Sequence, residues 1–317
     1  MKLVFLGTPQ FAVPTLEACL AAGHQVLAVY TQPDRPKGRG QALAASPVKE
    51  AALAHGLEVR QPEKIRAAEQ LEPLRELAAD AMVVVGYGQI IPQSIIDLPR
   101  HGILNVHASL LPKYRGAAPI QWAVANGEST TGVTIMRIDA GLDTGDMLLK
   151  AETPIGPEEN SVELGERLAR LGAELLVQAL AGLEGGTLTA EPQDASQATL
   201  APILRKELAE VDWTLDATTI FNHARGFQPW PGCSTRFRDR TMQIVRCRPS
   251  DEPLVGDPGS VVARRKRLFV ACGHVTTLEL LEVQIEGRRR ASAADFLNGQ
   301  RISDNERLGV TTASTPR

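Results

Sequence analysis

An amide and an imidazole stand two positions apart in the run Asn105-Val106-His107-Ala108-Ser109-Leu110-Leu111-Pro112. A carboxylate, Asp143, follows in Gly141-Leu142-Asp143-Thr144-Gly145-Asp146. These are the group types needed to move an acyl unit onto an amine: a donor for the developing oxyanion, a proton carrier and a charge that orients it. On an extended strand, side chains two apart share one face, so Asn105 and His107 point the same way. The strand leading to them, Gly102 to Leu104, is apolar, and Leu110-Leu111-Pro112 ends it with a stiff turn. Polar groups at the carboxyl end of an α/β strand sit where such folds carry out chemistry. The same residues also read as a core histidine with a satisfied hydrogen bond and a turn-forming asparagine. Asp143 likewise reads as a turn residue bonding its own backbone, with Asp146 as its rival.

The elements that must position these groups alternate in type. Leu3 to Leu6, Val26 to Tyr30, Met82 to Val85 and Ile103 to Val106 read as strands buried on both faces. Phe11 to Ala22, Pro47 to His55 and Glu63 to Ala78 show helical spacing, with Gly23 as a stop and Ser46-Pro47 as a cap and first-turn proline. The alternation predicts a mostly parallel sheet with right-handed crossovers. Gly132 to Ile138 and Met147 to Ala151 predict strands flanking the Asp143 loop, and Ser161 to Gly182 a long amphipathic helix. Residues 185 to 203 lack periodicity and read as a linker. Beyond a helix at Asp216 to Gly226 come short β-rich runs: 234 to 237, 241 to 247, 259 to 262, 268 to 271 and 276 to 285. They predict a small barrel or sandwich, a size at which five-stranded barrels often bind oligonucleotides.

At 317 residues the chain exceeds most single cores and suggests two domains. No apolar run approaches the ~20 residues that span a bilayer. The opening Met1-Lys2-Leu3-Val4-Phe5-Leu6-Gly7 is too short for a signal peptide and reads as a first strand. Cys19, Cys233, Cys247 and Cys272 are scattered without metal or disulfide spacing, so a reducing cytoplasm and no metal are expected. From Arg205 onward 18 Lys/Arg face 14 Asp/Glu, and the basic residues cluster at Arg236 to Arg248, Arg264 to Arg267 and Arg288 to Arg290. Such runs read as a solvated face or as a nucleic-acid surface. Gly7-Thr8-Pro9-Gln10 follows the first strand but lacks the G-x-G-x-x-G pattern, which excludes a dinucleotide fingerprint.

Several segments together resemble the folate-dependent formyltransferases, and within them the branch acting on a charged tRNA. They are Phe5-Leu6-Gly7-Thr8-Pro9, Thr31 to Pro36 with Gly38-Arg39-Gly40, Ser46 to Lys49, Arg115 to Gln121 and Thr131 to Met136. Fainter echoes are Phe227 to Gly232 and Asp295 to Gly299, so the resemblance covers nearly the whole chain. It departs at Glu286-Gly287-Arg288-Arg289-Arg290, where relatives tend to carry glycine followed by lysines.

The resemblance implies a Rossmann-like formyltransferase domain at 1–184, a linker at 185–204 and an OB-like β-barrel that binds tRNA at 205–317. It implies that Asn105, His107 and Asp143 are catalytic, and its spacing selects Asp143 over Asp146. Ser109, Leu110, Leu111 and Pro112 match its folate-binding segment. Tyr87, Gln89 and Ile91, with the backbone of Asp139 and Gly141, are implied to line the pteridine pocket. Asn105 and His107 would donate to the oxyanion, and Asp143 would orient the imidazole and favour its charged form. Arg35, Lys37 and Arg39, in a flexible cationic loop, are implied to meet tRNA. The implied reaction moves the formyl group of 10-formyltetrahydrofolate to the amine of initiator methionyl-tRNA, by a monomer without metal or membrane. Two other readings stand beside it: a small-molecule amine acceptor, such as a nucleotide or aminosugar, and a non-catalytic nucleic-acid-binding protein.

Overall fold

Alternating buried runs and amphipathic runs can satisfy their backbone groups only by pairing the first and covering them with the second. The computed structural model describes residues 1–37, 42–303 and 305–309 and divides them into two units. The first comprises residues 1–119, 130–154 and 164–201; the second comprises 120–129, 155–163 and 202 onward.

The strands of the first unit are β1 (Lys2–Gly7), β2 (Gln25–Tyr30), β3 (Arg35–Lys37), β4 (Ala42–Ala44), β5 (Val59–Arg60), β6 (Ala81–Val85), β7 (Ile103–His107), β8 (Thr130–Arg137) and β9 (Met147–Pro154). Seven form one sheet in the order β5-β2-β1-β6-β7-β8-β9, parallel from β5 to β7 and antiparallel beyond. β3 and β4 form a separate antiparallel hairpin. The chain runs outward from β1 to β2, then crosses back to place β6 on the other side of β1. The carboxyl ends of β1 and β6 therefore flank a switch point, where open α/β sheets bind ligands. Val4, Leu6, Met82, Val84 and Ile103 build a core on one face with Tyr30, Ile65 and Tyr87.

The helices are α1 (Val13–Ala21), α2 (Pro47–Ala54), α3 (Leu71–Glu76), α4 (Gln93–Ile96), α5 (Pro119–Ala125), α6 (Ser161–Glu184), α7 (Ala217–Gly226) and α8 (Ala293–Gly299). Ser46 caps α2 by accepting from the Lys49 N–H at 3.1 Å. The helix predicted over Glu63 to Ala78 shrinks to α3 preceded by a 3-10 turn at Ala68–Gln70. Pro73 has no N–H to give and fits only the first turn of a helix, so α3 cannot start much earlier. Residues before it form a turn instead, held by Ile65, whose N–H donates to Gln89 Oε1 at 2.6 Å.

In the second unit, β10 (Ser234–Phe237), β11 (Arg240–Ser250), β12 (Val261–Arg264), β13 (Arg267–Cys272), β14 (Thr276–Ile285) and β15 (Ala291–Ser292) form an antiparallel sheet. Its edges are β10 and β12. Residues 306–309 bond to both: Gly309 N–H to Arg236 O in β10, and Val261 N–H of β12 to Glu306 O, each at 2.9 Å. That shared partner bridges the two edges and closes the sheet into a small barrel. The core inside it includes Trp213, Met242, Ile244, Leu268, Val270, Leu278, Leu280 and Phe296.

Candidate active site

β7 lies between parallel β6 and antiparallel β8, with Asn105 opposite Val84 and Met136 and His107 opposite Thr134. The two-residue period sends Asn105 and His107 to one face and Leu104 and Val106 to the other. On that second face α6 comes close at Gly172, where a Cβ would lie 2.6 Å from Val106 Cγ1. The catalytic candidates thus stand on a strand packed firmly from behind.

Asp143 reaches the same place from the β8–β9 loop. Its Oδ1 accepts from Asn105 Nδ2 at 3.4 Å, and its Oδ2 lies 3.8 Å from His107 Nδ1. The Gly116 N–H donates to Oδ2 at 2.8 Å and fixes the carboxylate. Asp143 has φ 51°, a left-handed conformation that aspartate tolerates better than most residues. Asp139 shapes the turn by accepting from the Gly141 N–H at 3.0 Å and from Thr144 Oγ1 at 2.8 Å. Gly141 has no substitute there, since a Cβ would lie 2.0 Å from Thr144 Oγ1. Asp146 instead serves the sheet through its carbonyl, which accepts from the Arg137 N–H at 2.9 Å.

His107 is only 5% exposed, and its Nε2 lies 3.0 Å from the Tyr114 carbonyl. A carbonyl can only accept, so Nε2 carries the proton and Nδ1 is the free base. Burial pushes the imidazole below its ordinary pKa, opposed by the Asp143 charge and the Tyr114 bond. Asp143 does favour the charged form, as expected, but it does not prevail. The carboxylate is near but not bonded to the ring, and lost hydration outweighs it.

Among the residues implied to hold folate, most side chains are engaged within the protein. Ser109 is fully buried and donates to Lys113 O at 2.6 Å, while Leu111 packs with Met136 and Met147. Leu110 is half-buried, and Pro112 accepts through its carbonyl from the Thr199 N–H at 3.4 Å. Tyr87 is buried in the core with its hydroxyl unpartnered, and burial raises its pKa. Gln89 braces Pro62 O and Ile65 N, and Ile91 packs against the same core as Tyr87. What faces outward is apolar: Ile90 is 77% and Leu142 65% exposed.

Arg35 is exposed, its Nη2 3.5 Å from Gln32 Oε1, and Lys37 ends β3. Arg39 lies outside the described residues. The hairpin root is fastened by Lys49 Nζ to Asp34 Oδ2 at 2.6 Å and by Thr31 Oγ1 with Ser46 Oγ at 2.7 Å. In the second unit many arginines of the basic clusters are paired. Arg248 and Arg267 share Glu279, Arg238 holds Glu306, and Arg264 holds Glu252. Arg265, Lys266 and Arg288 to Arg290 are exposed and in no ion pair among the described residues.

Sequence reading assigned no role to four groups that build the site. Thr134 Oγ1 donates to Ser109 O at 2.7 Å and accepts from the Leu111 N–H at 3.1 Å, and its local signal was a polar residue inside an apolar strand. Arg115 and Gly116 stand in a segment that carried the resemblance but no assigned role, and Gln193 stands in a non-periodic segment with no local signal. Among the described residues, no cluster of three or more His, Cys, Asp or Glu could hold a metal.

Residues 1–180 match the family model described as formyl transferase, and residues 203–301 match the formyl transferase C-terminal domain. A methionyl-tRNA formyltransferase of Solibacter usitatus is 64% identical over 98% of this chain and 99% of its own. That of Geobacter sulfurreducens is 48% identical over 98% and 97%. An N-formyltransferase from Helicobacter canadensis, solved with folinic acid and dTDP-3-aminofucose, shares the fold at TM-score 0.67 and 17% identity, over 88% of this chain and 98% of that one.

Proposed function

We infer the reaction from this starting point: the chain belongs to the formyl transferase family, and methionyl-tRNA formyltransferases match it over nearly its whole length. It transfers the formyl group of 10-formyltetrahydrofolate to the amino group of methionyl-tRNA, which supplies N-formylmethionyl-tRNA for translation initiation. The geometric observation that carries this reading is the Asp143 carboxylate lying against both Asn105 and His107.

10-Formyltetrahydrofolate supplies a formyl carbon open to attack by an amine. His107 Nδ1, kept unprotonated by burial, takes the proton the acceptor amine must lose, a role worth roughly 10²–10⁴ in rate. Asp143 then faces an imidazolium and lowers its cost, so Nδ1–H can return the proton to the departing nitrogen. One amide hydrogen of Asn105 points to Asp143; the other serves the oxygen on which charge builds, a donor typically worth ~10²–10³. Because the side chains of Ser109, Gln89, Leu111 and Asp139 are already engaged and that of Tyr87 is buried in the core, folate is held by their backbone groups and by apolar Ile90 and Leu142.

Residues 1–184 carry the chemistry and residues 205–317 hold tRNA, a division supported by the two family matches. Arg35, Lys37 and Arg39 meet the acceptor stem. We propose a monomer in the cytoplasm; the four free, buried cysteines support the reducing compartment. The deciding experiment incubates the chain with 10-formyltetrahydrofolate and methionyl-tRNA and looks for N-formylmethionine, with nucleotide-linked aminosugars in parallel. Formylation of the sugars alone would overturn the assignment. Arg39→Ala should weaken tRNA-dependent turnover and leave folate binding intact.

A further inference from the structure

The Asp143 carboxylate has the position the chemistry needs, but a left-handed turn on a loop does not hold that position unaided. The support comes from residues 191–201, a stretch without helical or strand periodicity that packs within the first unit. Glu191 and Met147 exchange both backbone hydrogen bonds at 2.8 Å, which sets the stretch beside the start of β9. Two residues on, Gln193 Nε2 donates to Asp143 O and to Gly145 O, each at 2.8 Å. Gln193 Oε1 accepts from Arg115 Nε at 3.0 Å and Nη2 at 2.8 Å. Carbonyls only accept and a guanidinium only donates, so the amide can sit in one orientation.

The stretch then reaches the other catalytic loop. Thr199 Oγ1 accepts from the Tyr114 N–H at 2.8 Å, and Thr199 O accepts from the Arg115 N–H at 2.9 Å. Tyr114 is the residue whose carbonyl holds His107 Nε2. Ala201 N–H donates to Arg115 O at 2.7 Å, and Gly116 lies so close that a Cβ there would be 2.6 Å from Ala201 O. Gly116 in turn donates to the Asp143 carboxylate. One stretch of chain therefore grips the loop of Asp143 and the loop that orients His107.

We propose that residues 191–201 form a positioning strap for the formyl-transfer site, with Gln193 as the positioning residue that holds Asp143 against His107 and Asn105. This rests on the reading that Asp143 takes part in formyl transfer. Gln193 touches no reacting atom; it acts through the turn whose two carbonyls it clamps. Without that clamp the carboxylate relaxes away from the imidazole, and displacements of about 1 Å cost ~10²-fold in rate. Leu142 and Asp139 lie on the same loop, so folate binding weakens somewhat, but the larger loss falls on kcat.

The test compares Gln193→Ala, Gln193→Glu, Asp143→Asn and the double variant Gln193→Ala/Asp143→Asn in the full chain, with methionyl-tRNA and 10-formyltetrahydrofolate. Gln193→Ala should lower kcat by about 10²-fold, with KM for methionyl-tRNA unchanged and KM for 10-formyltetrahydrofolate raised by far less than kcat falls. Gln193→Glu keeps the bulk and the Arg115 partner but sets a carboxylate against two carbonyls, so it should lose as much. The acid limb of the kcat profile should move to lower pH in Gln193→Ala, because the carboxylate that raises the His107 pKa has strayed. The double variant should be no slower than Asp143→Asn alone, as expected for two residues acting as one unit. Folate binding, read by fluorescence, keeps the comparison among folded proteins, and Gln193→Glu replaces Gln193→Ala if the latter fails to fold. Wild-type kcat in the Gln193 variants beside a crippled Asp143→Asn would overturn the strap alone. So would losses that multiply in the double variant. Full turnover in Asp143→Asn would overturn the strap together with the reading beneath it.

Discussion

Two nearly water-free titratable groups, one in each unit, meet opposite fates. His107 is 5% exposed and is pushed toward neutrality, with its nearest carboxylate 3.8 Å away and unbonded. Glu279 is 3% exposed yet is held below its ordinary pKa by hydrogen bonds from Arg267 and, beyond the opposing effect of burial, from Arg248. The arginine contacts run at 2.6 and 2.8 Å. Direct charge-assisted bonds overcome desolvation; a charge one bond-length too far does not. The first arrangement keeps a group able to take and return a proton. The second gives up that ability and locks three strands of the barrel together.

The largest effects should come from removing the proton carrier. His107→Ala should cut turnover by about 10²–10⁴, and Asn105→Ala by ~10²–10³, with the fold intact by circular dichroism. Near-normal turnover in either would break the contrast at its functional end. Next comes pH. Turnover should fall on the acid side at a midpoint below 6.5, the ordinary imidazole value, because neutral His107 is the working form. A midpoint above 6.5 would show that the carboxylate, not burial, governs the ring.

Smaller effects fall on stability. The folded state resists protonating His107, so stability declines as pH drops below 6.5, until the lowered folded value is reached. Glu279 contributes stability that is fully present above 4.5 and lost as pH falls through its depressed folded value. Acid unfolding followed in Glu279→Gln should lack that lower step, and the variant should lose about 1–3 kcal/mol at neutral pH. Arg248 and Arg267 are half exposed and partly rehydrate, which favours the low end. The smallest effect distinguishes paired from unpaired arginines. Each of Arg288→Ala, Arg289→Ala and Arg290→Ala should reduce the salt slope of tRNA binding by roughly 0.7–0.9. Arg264→Ala, whose charge is already matched by Glu252, should reduce it less.

The strands of the first unit were legible because burial on both faces leaves uninterrupted apolar runs such as Met82 to Val85. The cap at Ser46 was legible because capping is local chemistry. The helix expected over Glu63 to Ala78 was not, since Pro73 overrides a spacing that otherwise looks helical. Ion pairing of the basic clusters was illegible for another reason. Arg248 meets Glu279 across β11 and β14, and Arg267 comes from β13, so the match exists only once three strands take their register. Arg264 to Arg267 read as one basic run, yet two of its four residues are spent on carboxylates.

Asn105 and His107 share a face by the period of a strand, and the chain alone dictated that. Their kinship to a known reaction was equally present in residue types and spacing. Tertiary structure decided which nitrogen of His107 bears the proton, through the Tyr114 carbonyl, and which carboxylate arrives beside it. It also turned a stretch with no periodicity into the brace at Gln193. Periodicity and capping are properties of neighbouring residues. Tautomer, pKa and loop position depend on atoms that folding brings from 7 to 50 positions away.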